Sequence, residues 1–262
     1  MFDYAYLIEI LTPKRSTPER DREMMNRFAE RYRRIHDSGI GISIPDNPMG
    51  QPRHSALETI DRCDLPVDPE RTVINLNTFH TKAELDGLLE TAANSGVKYL
   101  LIIRGDGGPA LLKLDPASVG GESSVATSID LLRYINAAYR GRFITGAAFN
   151  QYNPIDFEMK RLKAKIYAGA KFVITQPVIG QDPNVDLLKT FDIPVIIEAW
   201  MSEKVDLLLK SVRKPKDERA EGFDPMKNLT RLHDAYPQSC IYLSMLSFKQ
   251  DWKGLLPRYK RT

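Results

Sequence analysis

Only two cysteines occur in the 262 residues, Cys63 and Cys240, and they share no CxxC or metal-type spacing. No disulfide framework is expected, and reduced thiols in a cytoplasmic protein are the plain reading. The four histidines, His36, His54, His80 and His233, are scattered without HxxE or paired-His spacing, so no metal is expected. No apolar run approaches the roughly 18 to 20 residues of a membrane helix, and no secretory-type leader precedes the first strand-like segment. A soluble chain with no membrane partner follows. Charge of one sign is also lacking, since 37 Lys and Arg against 34 Asp and Glu leave only +3. That is too little for a nucleic-acid footprint, although it would not repel a small anionic substrate. Neither GxGxxG nor GxxxxGK[ST] occurs, which leaves a Rossmann or P-loop reading unsupported. Hydrolase chemistry lacks a Ser or Cys nucleophile motif.

What is present is a rhythm. Eight short β-branched or aromatic runs recur: "YAYLIEIL" (4–11), "GIGISIP" (39–45), "TVINLNTF" (72–79), "KYLLIIR" (98–104), "FITGAAFN" (143–150), "KFVITQPV" (171–178), "IPVIIEAW" (193–200) and "CIYLSMLS" (240–247). Each reads as a strand buried on both faces. Between them lie stretches with apolar residues at helical spacing, among them residues 17–37, 81–96, 124–141, 156–170, 184–191 and 203–212, with weaker ones at 54–61 and 250–260. Thr17 with Pro18, and Thr81 before Glu84, read as helix starts. Gly96, Gly141 and Gly169 read as stops. Eight strand-helix units in this length predict a single (β/α)8 barrel over residues 1–262, with a doubly wound open sheet as the runner-up. The Met pair in "REMMNRF" reads as core, and the basic run at 213–222 and the tail "PRYKRT" as solvated surface.

Barrel enzymes place chemistry at the C-terminal strand ends. Polar residues expected there are Glu9, Asp46, Asn77, Thr78, His80, Arg104, Asp106, Asn150, Gln151, Gln176, Glu198 and Ser247. Glu9 stands among Leu7, Ile8, Ile10 and Leu11, where an ionised carboxylate is costly. It is either an acid kept protonated for catalysis or one half of a structural ion pair. In "RGDGG", Gly105 permits a tight backbone approach to a ligand, and Gly107-Gly108 leave the loop unobstructed; the alternative is a mobile turn with solvated charges. Gln176 ends the sixth strand with an amide that donates and accepts at once, suited to a ligand with mixed edges.

Taken in order, Glu9, "IRGD" and "AGAKFVITQPV" resemble the methylenetetrahydrofolate reductase family, flavin-dependent barrels of one-carbon metabolism. The resemblance implies the catalytic glutamate at Glu9 ("IEILTPKR") and a flavin-contacting aspartate at Asp106, with Arg104 and Gly105 beside it. It further implies cofactor contacts at Ala126 and Thr127 ("SVATSIDLL") and at Phe149 and Asn153 ("GAAFNQYNP"). Glu158 and Lys165 are implied near the cofactor and Gln176 against the pterin by "FEMKRLKAKIYAGAKFVITQ". The chain departs from the family at strand seven, "IIEAWMSE" in place of a Pro-Gly-Ile type turn, and at strand two, "IPDNPMG" without Thr-Tyr-Gly.

The resemblance implies an oxidoreductase with FAD as cofactor. It would interconvert 5,10-methylenetetrahydrofolate and 5-methyltetrahydrofolate by hydride transfer, with NADH or NADPH as donor. Asp106, as an anion beside the ring system, would help an electron-deficient iminium bind. A flavin-independent methylene-pterin reductase and a non-catalytic folate-binding barrel subunit are the alternatives. A homo-oligomer is compatible with each.

Overall fold

The computed structural model describes Phe2, residues 5–212 and 222–249, Gly254 and Leu256. Eight strands form its centre: β1 (Tyr6–Glu9), β2 (Gly41–Ile44), β3 (Thr72–Leu76), β4 (Tyr99–Ile102), β5 (Ile144–Phe149), β6 (Phe172–Thr175), β7 (Val195–Trp200) and β8 (Ile241–Ser244). Each pairs in parallel with the next, and β8 pairs with β1, so the sheet closes into a barrel in chain order. The strands are shorter than the apolar runs that announce them. Ladder bonds form only where neighbours overlap, and the flanking residues, such as Gly39-Ile40 or Met245-Ser247, lead in and out of loops.

The connecting helices are α1 (Pro18–His36), α2 (Ala56–Arg62), α3 (Lys82–Asn94), α4 (Ser128–Ala138), α5 (Ile155–Tyr167), α6 (Pro183–Asp186), α7 (Val205–Ser211) and α8 (Pro225–Ala235). Thr81 caps α3 with a complete capping box to Glu84, whereas Thr17 precedes Pro18 without a side-chain cap bond. The stretch expected as a helix at 184–191 is α6 followed by a 3-10 turn, Leu187–Thr190. Helix α8 was not expected. It starts where the Asp224 carboxylate accepts from the backbone N–H groups of Met226 (2.9 Å) and Lys227 (3.1 Å), with Pro225 at the first position. Most of the stretch at 250–260, most of the basic run at 213–222 and the tail lie outside the described residues.

Strand alternation sorts the core into two layers. Ile8, Ile74, Leu100 and Phe149 face outward and pack, fully or almost fully buried, against helix residues such as Leu85, Leu131 and Leu229. Leu7, Val73, Leu101, Ile174 and Ile196 face inward. Phe2 closes the lower end of the barrel, its ring centroid 5.0 Å from that of Tyr99 and 5.1 Å from that of Phe172. The interior thus starts apolar at the N-terminal strand ends. Burial there is a stabilising term of about 25 cal/mol per Å² of apolar surface.

Gly146 in β5 is part of that packing, since a Cβ there would lie 2.3 Å from two atoms of the fully buried Phe172 ring. Gly146→Ala should therefore destabilise the fold by about 1–3 kcal/mol through overpacking. Urea unfolding checks this, and an unchanged midpoint would mean that the ring has room to turn aside.

Candidate active site

The inward-facing series turns polar at its upper end. Two residues above Leu7 comes Glu9, two above Ile196 comes Glu198, two above Ile174 comes Gln176, and two above Cys240 comes Tyr242, followed by Ser244. Ser43 and Asn75 complete the rim on the β2 and β3 side, hydroxyl to amide oxygen at 3.4 Å. Six neighbouring strands, β6 round to β3, therefore deliver polar side chains to one mouth.

Glu9 is the best connected of them. The Tyr242 hydroxyl donates to its Oε2 at 2.8 Å. Burial pushes the Glu9 pKa up, opposed by the Tyr242 hydroxyl, by the Met245 backbone N–H and by the nearby Arg53 charge, and the net direction is upward. The Met245 backbone is held at φ 59°, in the left-handed region that only glycine adopts freely. Arg53 reaches in from the segment after β2, its guanidinium donating to the Thr12 carbonyl at 2.5 Å, and its Nε is buried without a partner among the described residues. Burial lowers the Arg53 pKa, and Glu9 works against that.

Glu198 stands in the same mouth with less support. No ion pair reaches it among the described residues. Burial, and after it the Glu9 charge, push its pKa up to about 8, against the Ser244 hydroxyl. Two carboxyl groups share one poorly solvated space, and the first to ionise makes the second harder to ionise. Tyr242, between them, is pushed well above the usual tyrosine range by burial and then by both carboxylates.

Gln176 faces the mouth with its backbone fixed from behind. Its N–H donates to the Phe149 carbonyl at 2.9 Å and to Gln151 Oε1 at 3.2 Å, while its carbonyl accepts from Gln151 Nε2 at 2.9 Å. Its side-chain amide has no partner among the described residues. Arg104 and Asp106 lie exposed on the loop after β4, Arg104 without an ion pair among the described residues. The Asp106 carboxylate accepts from the Met49 backbone N–H at 2.9 Å, tying that loop to the 3-10 turn Pro48–Gly50.

The expected unobstructed turn at Gly107-Gly108 is corrected by the structure. A Cβ at Gly108 would meet the Gly50 carbonyl oxygen at 2.2 Å, and one at Gly107 would meet the Phe79 ring at 2.7 Å. Gly105, at φ +80°, likewise abuts Asn77 and Phe79. These glycines serve loop-on-loop packing first.

The remaining predicted residues stand apart from the mouth. Glu158 and Lys165 form a buried ion pair at 3.3 Å behind β5. Glu158 also accepts from the Asn150 N–H (3.2 Å) and Asn153 Nδ2 (2.9 Å), and Lys165 donates to the Ala148 carbonyl (2.6 Å). Burial lowers the Lys165 pKa, and Glu158 offsets part of that. Phe149 is fully buried in the outer core layer. Ala126 is buried ahead of α4, and the Thr127 hydroxyl is engaged in the capping box with Asp130.

His80 is a structural residue. Its Nε2 lies 2.5 Å from Asp46, whose carboxylate also accepts from the Asn77 N–H at 3.2 Å. Burial pulls its pKa down, but Asp46, aided by Glu84, raises it overall. Arg53 and Tyr242 went unmarked in the sequence because only barrel closure brings them to Glu9. Glu198 carried a usable signal, a charged residue two positions above a buried isoleucine at a strand end. A cleft of about 680 Å³ also opens at the lower end, lined by Phe2, Phe191, Tyr236 and Cys240 among others, far from the carboxylates. Among the described residues there is no group of three or more His, Cys, Asp or Glu placed to hold a metal, and no helix is long and apolar enough to cross a membrane.

Comparison with known proteins gives these residues a context. Methylenetetrahydrofolate reductase 1 of Schizosaccharomyces pombe (strain 972 / ATCC 24843) is 33% identical over 162 residues, which cover 56% of this chain and 26% of that protein. The match thus spans about a quarter of its length. Among solved structures, a 2,3-dimethylmalate lyase of the PEP mutase/isocitrate lyase superfamily superposes with a TM-score of 0.51 at 11% identity, covering 91% of this chain and 74% of that one. An oxaloacetate acetylhydrolase gives a TM-score of 0.51 at 10% identity, covering 92% and 75%. At such identities the likeness concerns the barrel alone. The family model for methylenetetrahydrofolate reductase matches residues 3–192, from ahead of β1 to beyond α6, and so leaves Glu198 and Tyr242 outside it. With Glu9, the Arg104-Asp106 loop and Gln176 all inside that match, the chain belongs to the methylenetetrahydrofolate reductase family.

Proposed function

We propose that this chain, as one catalytic barrel, reduces 5,10-methylenetetrahydrofolate to 5-methyltetrahydrofolate through a bound FAD, with NADH or NADPH as donor. The observation that carries the reading is Glu9, a carboxyl raised by burial at the mouth of a barrel of this family, with the Gln176 amide, unpartnered among the described residues, in the same rim.

The donor set supports a flat, anionic cofactor. Arg104 is exposed and unpaired among the described residues, the loop after β4 is held in a fixed shape by Gly105 and the Met49–Asp106 bond, and α4 begins at Ala126-Thr127. Arg104, Gly105 and Asp106 would hold the ring system, and the α4 N-terminus the phosphates. Phe149, Asn153, Glu158 and Lys165 would back that site. When bound, the flavin supplies the two-electron carrier between nicotinamide and folate. The chain's own part is then binding and proton control. Gln176 pairs with the donor and acceptor edge of the pterin. Asp106 favours the cationic iminium that ring opening produces. Glu9 gives N10 the proton that opening requires.

A second reading, reduction by direct hydride transfer from the nicotinamide without flavin, is favoured by one observation. The hydrogen-bonding groups of Glu158, Lys165 and Thr127 are already engaged within the protein. The purified protein separates the two. A yellow solution with flavin absorption supports the first. A colourless protein that cannot be reconstituted with FAD, yet oxidises NADH when given the methylene folate, selects the second.

For Glu9→Gln, which keeps shape but has no acidic proton, the folate half-reaction should fall by about 10²- to 10⁴-fold while flavin reduction by the nicotinamide survives. Stopped-flow measurement of both half-reactions checks this, and a folate rate within a few-fold of wild type would assign Glu9 to pairing with Tyr242. Gln176→Leu should leave the fold intact and raise the folate dissociation constant by about tenfold or more, because pterin groups are left unpaired. Unchanged folate binding would remove Gln176 from the site.

A further inference from the structure

Glu198 has no part in the mechanism above, and it lies beyond the residues the family model matches. Yet the β7 register fixes it inward. Ile196, two residues below, is 1% exposed in the barrel interior, and the Glu198 backbone N–H donates to Thr175 Oγ1 at 2.9 Å, locking β7 against β6. On the other side β7 pairs with β8, Glu198 opposite Tyr242 and Trp200 opposite Ser244. Tyr242 in turn donates to Glu9 on β1. Glu198, Tyr242 and Glu9 therefore form one continuous rim across three strands.

The groups facing this rim treat the two carboxyls unequally. Glu9 receives the Tyr242 hydroxyl, the Met245 N–H and the Arg53 charge, all of which favour its anion. Glu198 has the Ser244 hydroxyl beside it on β8, which also donates to the Ala199 carbonyl at 3.4 Å, and faces the Glu9 charge from β1, while on the β6 side its backbone N–H alone is bonded, to Thr175, among the described residues. No cation pairs with it among the described residues. When one proton is left on the pair, it resides chiefly on Glu198.

We propose that Glu198 is a positioning residue that keeps a proton within reach of Glu9, so that the pair, rather than Glu9 alone, sets the pH range in which the acid works. In the transfer the Glu198 O–H bond breaks and a Glu9 O–H bond forms, directly or through Tyr242. Glu198 is left as the carboxylate and recovers its proton from solvent at the open mouth. No other bond changes and no electrons move between redox states. This role rests on Glu9 being the proton donor proposed above.

The sign of the pH effect follows from the coupling. The second proton of the pair is the one held to high pH, so the wild-type pair keeps an acid through neutrality and loses it at about pH 8. In Glu198→Gln, Glu9 must supply the acid alone, and the alkaline limb of the folate half-reaction should move below neutral pH, a shift of about two units or more. Below the limb the rate should stay close to wild type. A limb that superimposes on wild type, or a loss that is equal at every pH, overturns the proposal.

An infrared measurement tests the pair without relying on turnover. At neutral pH the carboxylic-acid C=O band of the wild type should persist in Glu9→Gln, vanish in Glu198→Gln and return in Glu198→Asp. Persistence of the band in a folded Glu198→Gln overturns the proposal even if the folate reaction proceeds. Absence of folate turnover in the wild type with the infrared pattern as expected would instead remove the proposed function and leave the coupled pair standing.

Discussion

Two carboxyl groups in one poorly solvated mouth is the constraint around which the upper end of this barrel is arranged. Neither Glu9 nor Glu198 has a close ion-pair partner among the described residues, so hydroxyl and backbone donors, with the more distant Arg53 charge at Glu9, favour whatever charge each carries. A tyrosine from β8, a serine one turn of the pleat higher and a strained N–H at Met245 supply them. Were these groups bathed in water, both glutamates would be ordinary anions and the site would have no proton to give. The raised carboxyls therefore depend on how little water reaches the mouth.

That dryness is made lower down. The same alternation that turns Glu9 and Glu198 inward turns Leu7 and Ile196 inward beneath them, and Phe2 with Tyr99 and Phe172 closes the floor. Gly146 exists in this packing only to admit the Phe172 ring. Outside the barrel, the Glu158–Lys165 pair pins α5 to the end of β5 through the Ala148 carbonyl, and Gln151 fixes the backbone from which Gln176 projects. The Gln176 amide thus projects from a backbone whose N–H and carbonyl are both hydrogen-bonded.

Much of this was legible in the sequence because parallel strands buried on both faces leave apolar runs that polar helices separate. Glu9 was visible as a charge inside such a run, and "IRGD" as polar residues at its end. What was not legible depended on closure or on competing surface signals. Tyr242 sits in a run that reads as plain strand, and nothing in its spacing points to a residue on β1. Arg53 looked like one basic residue in a proline-containing loop. Helix α8 follows a strongly charged stretch, although Asp224-Pro225 and the spacing of Leu229 and Leu232 contain a start signal and an apolar stripe. The glycines after Arg104 read in the sequence as room for a ligand, whereas another loop's backbone fills that room.

The bond from Tyr242 to Glu9 joins residues 233 positions apart. During synthesis Glu9 is made well before its donor, and contacts of such long sequence separation form late in folding. Until β8 seats against β1, β1 is an open sheet edge and Glu9 lacks the Tyr242 donor. The surroundings that raise the Glu9 pKa are thus completed in the same event that closes the barrel's ring of hydrogen bonds.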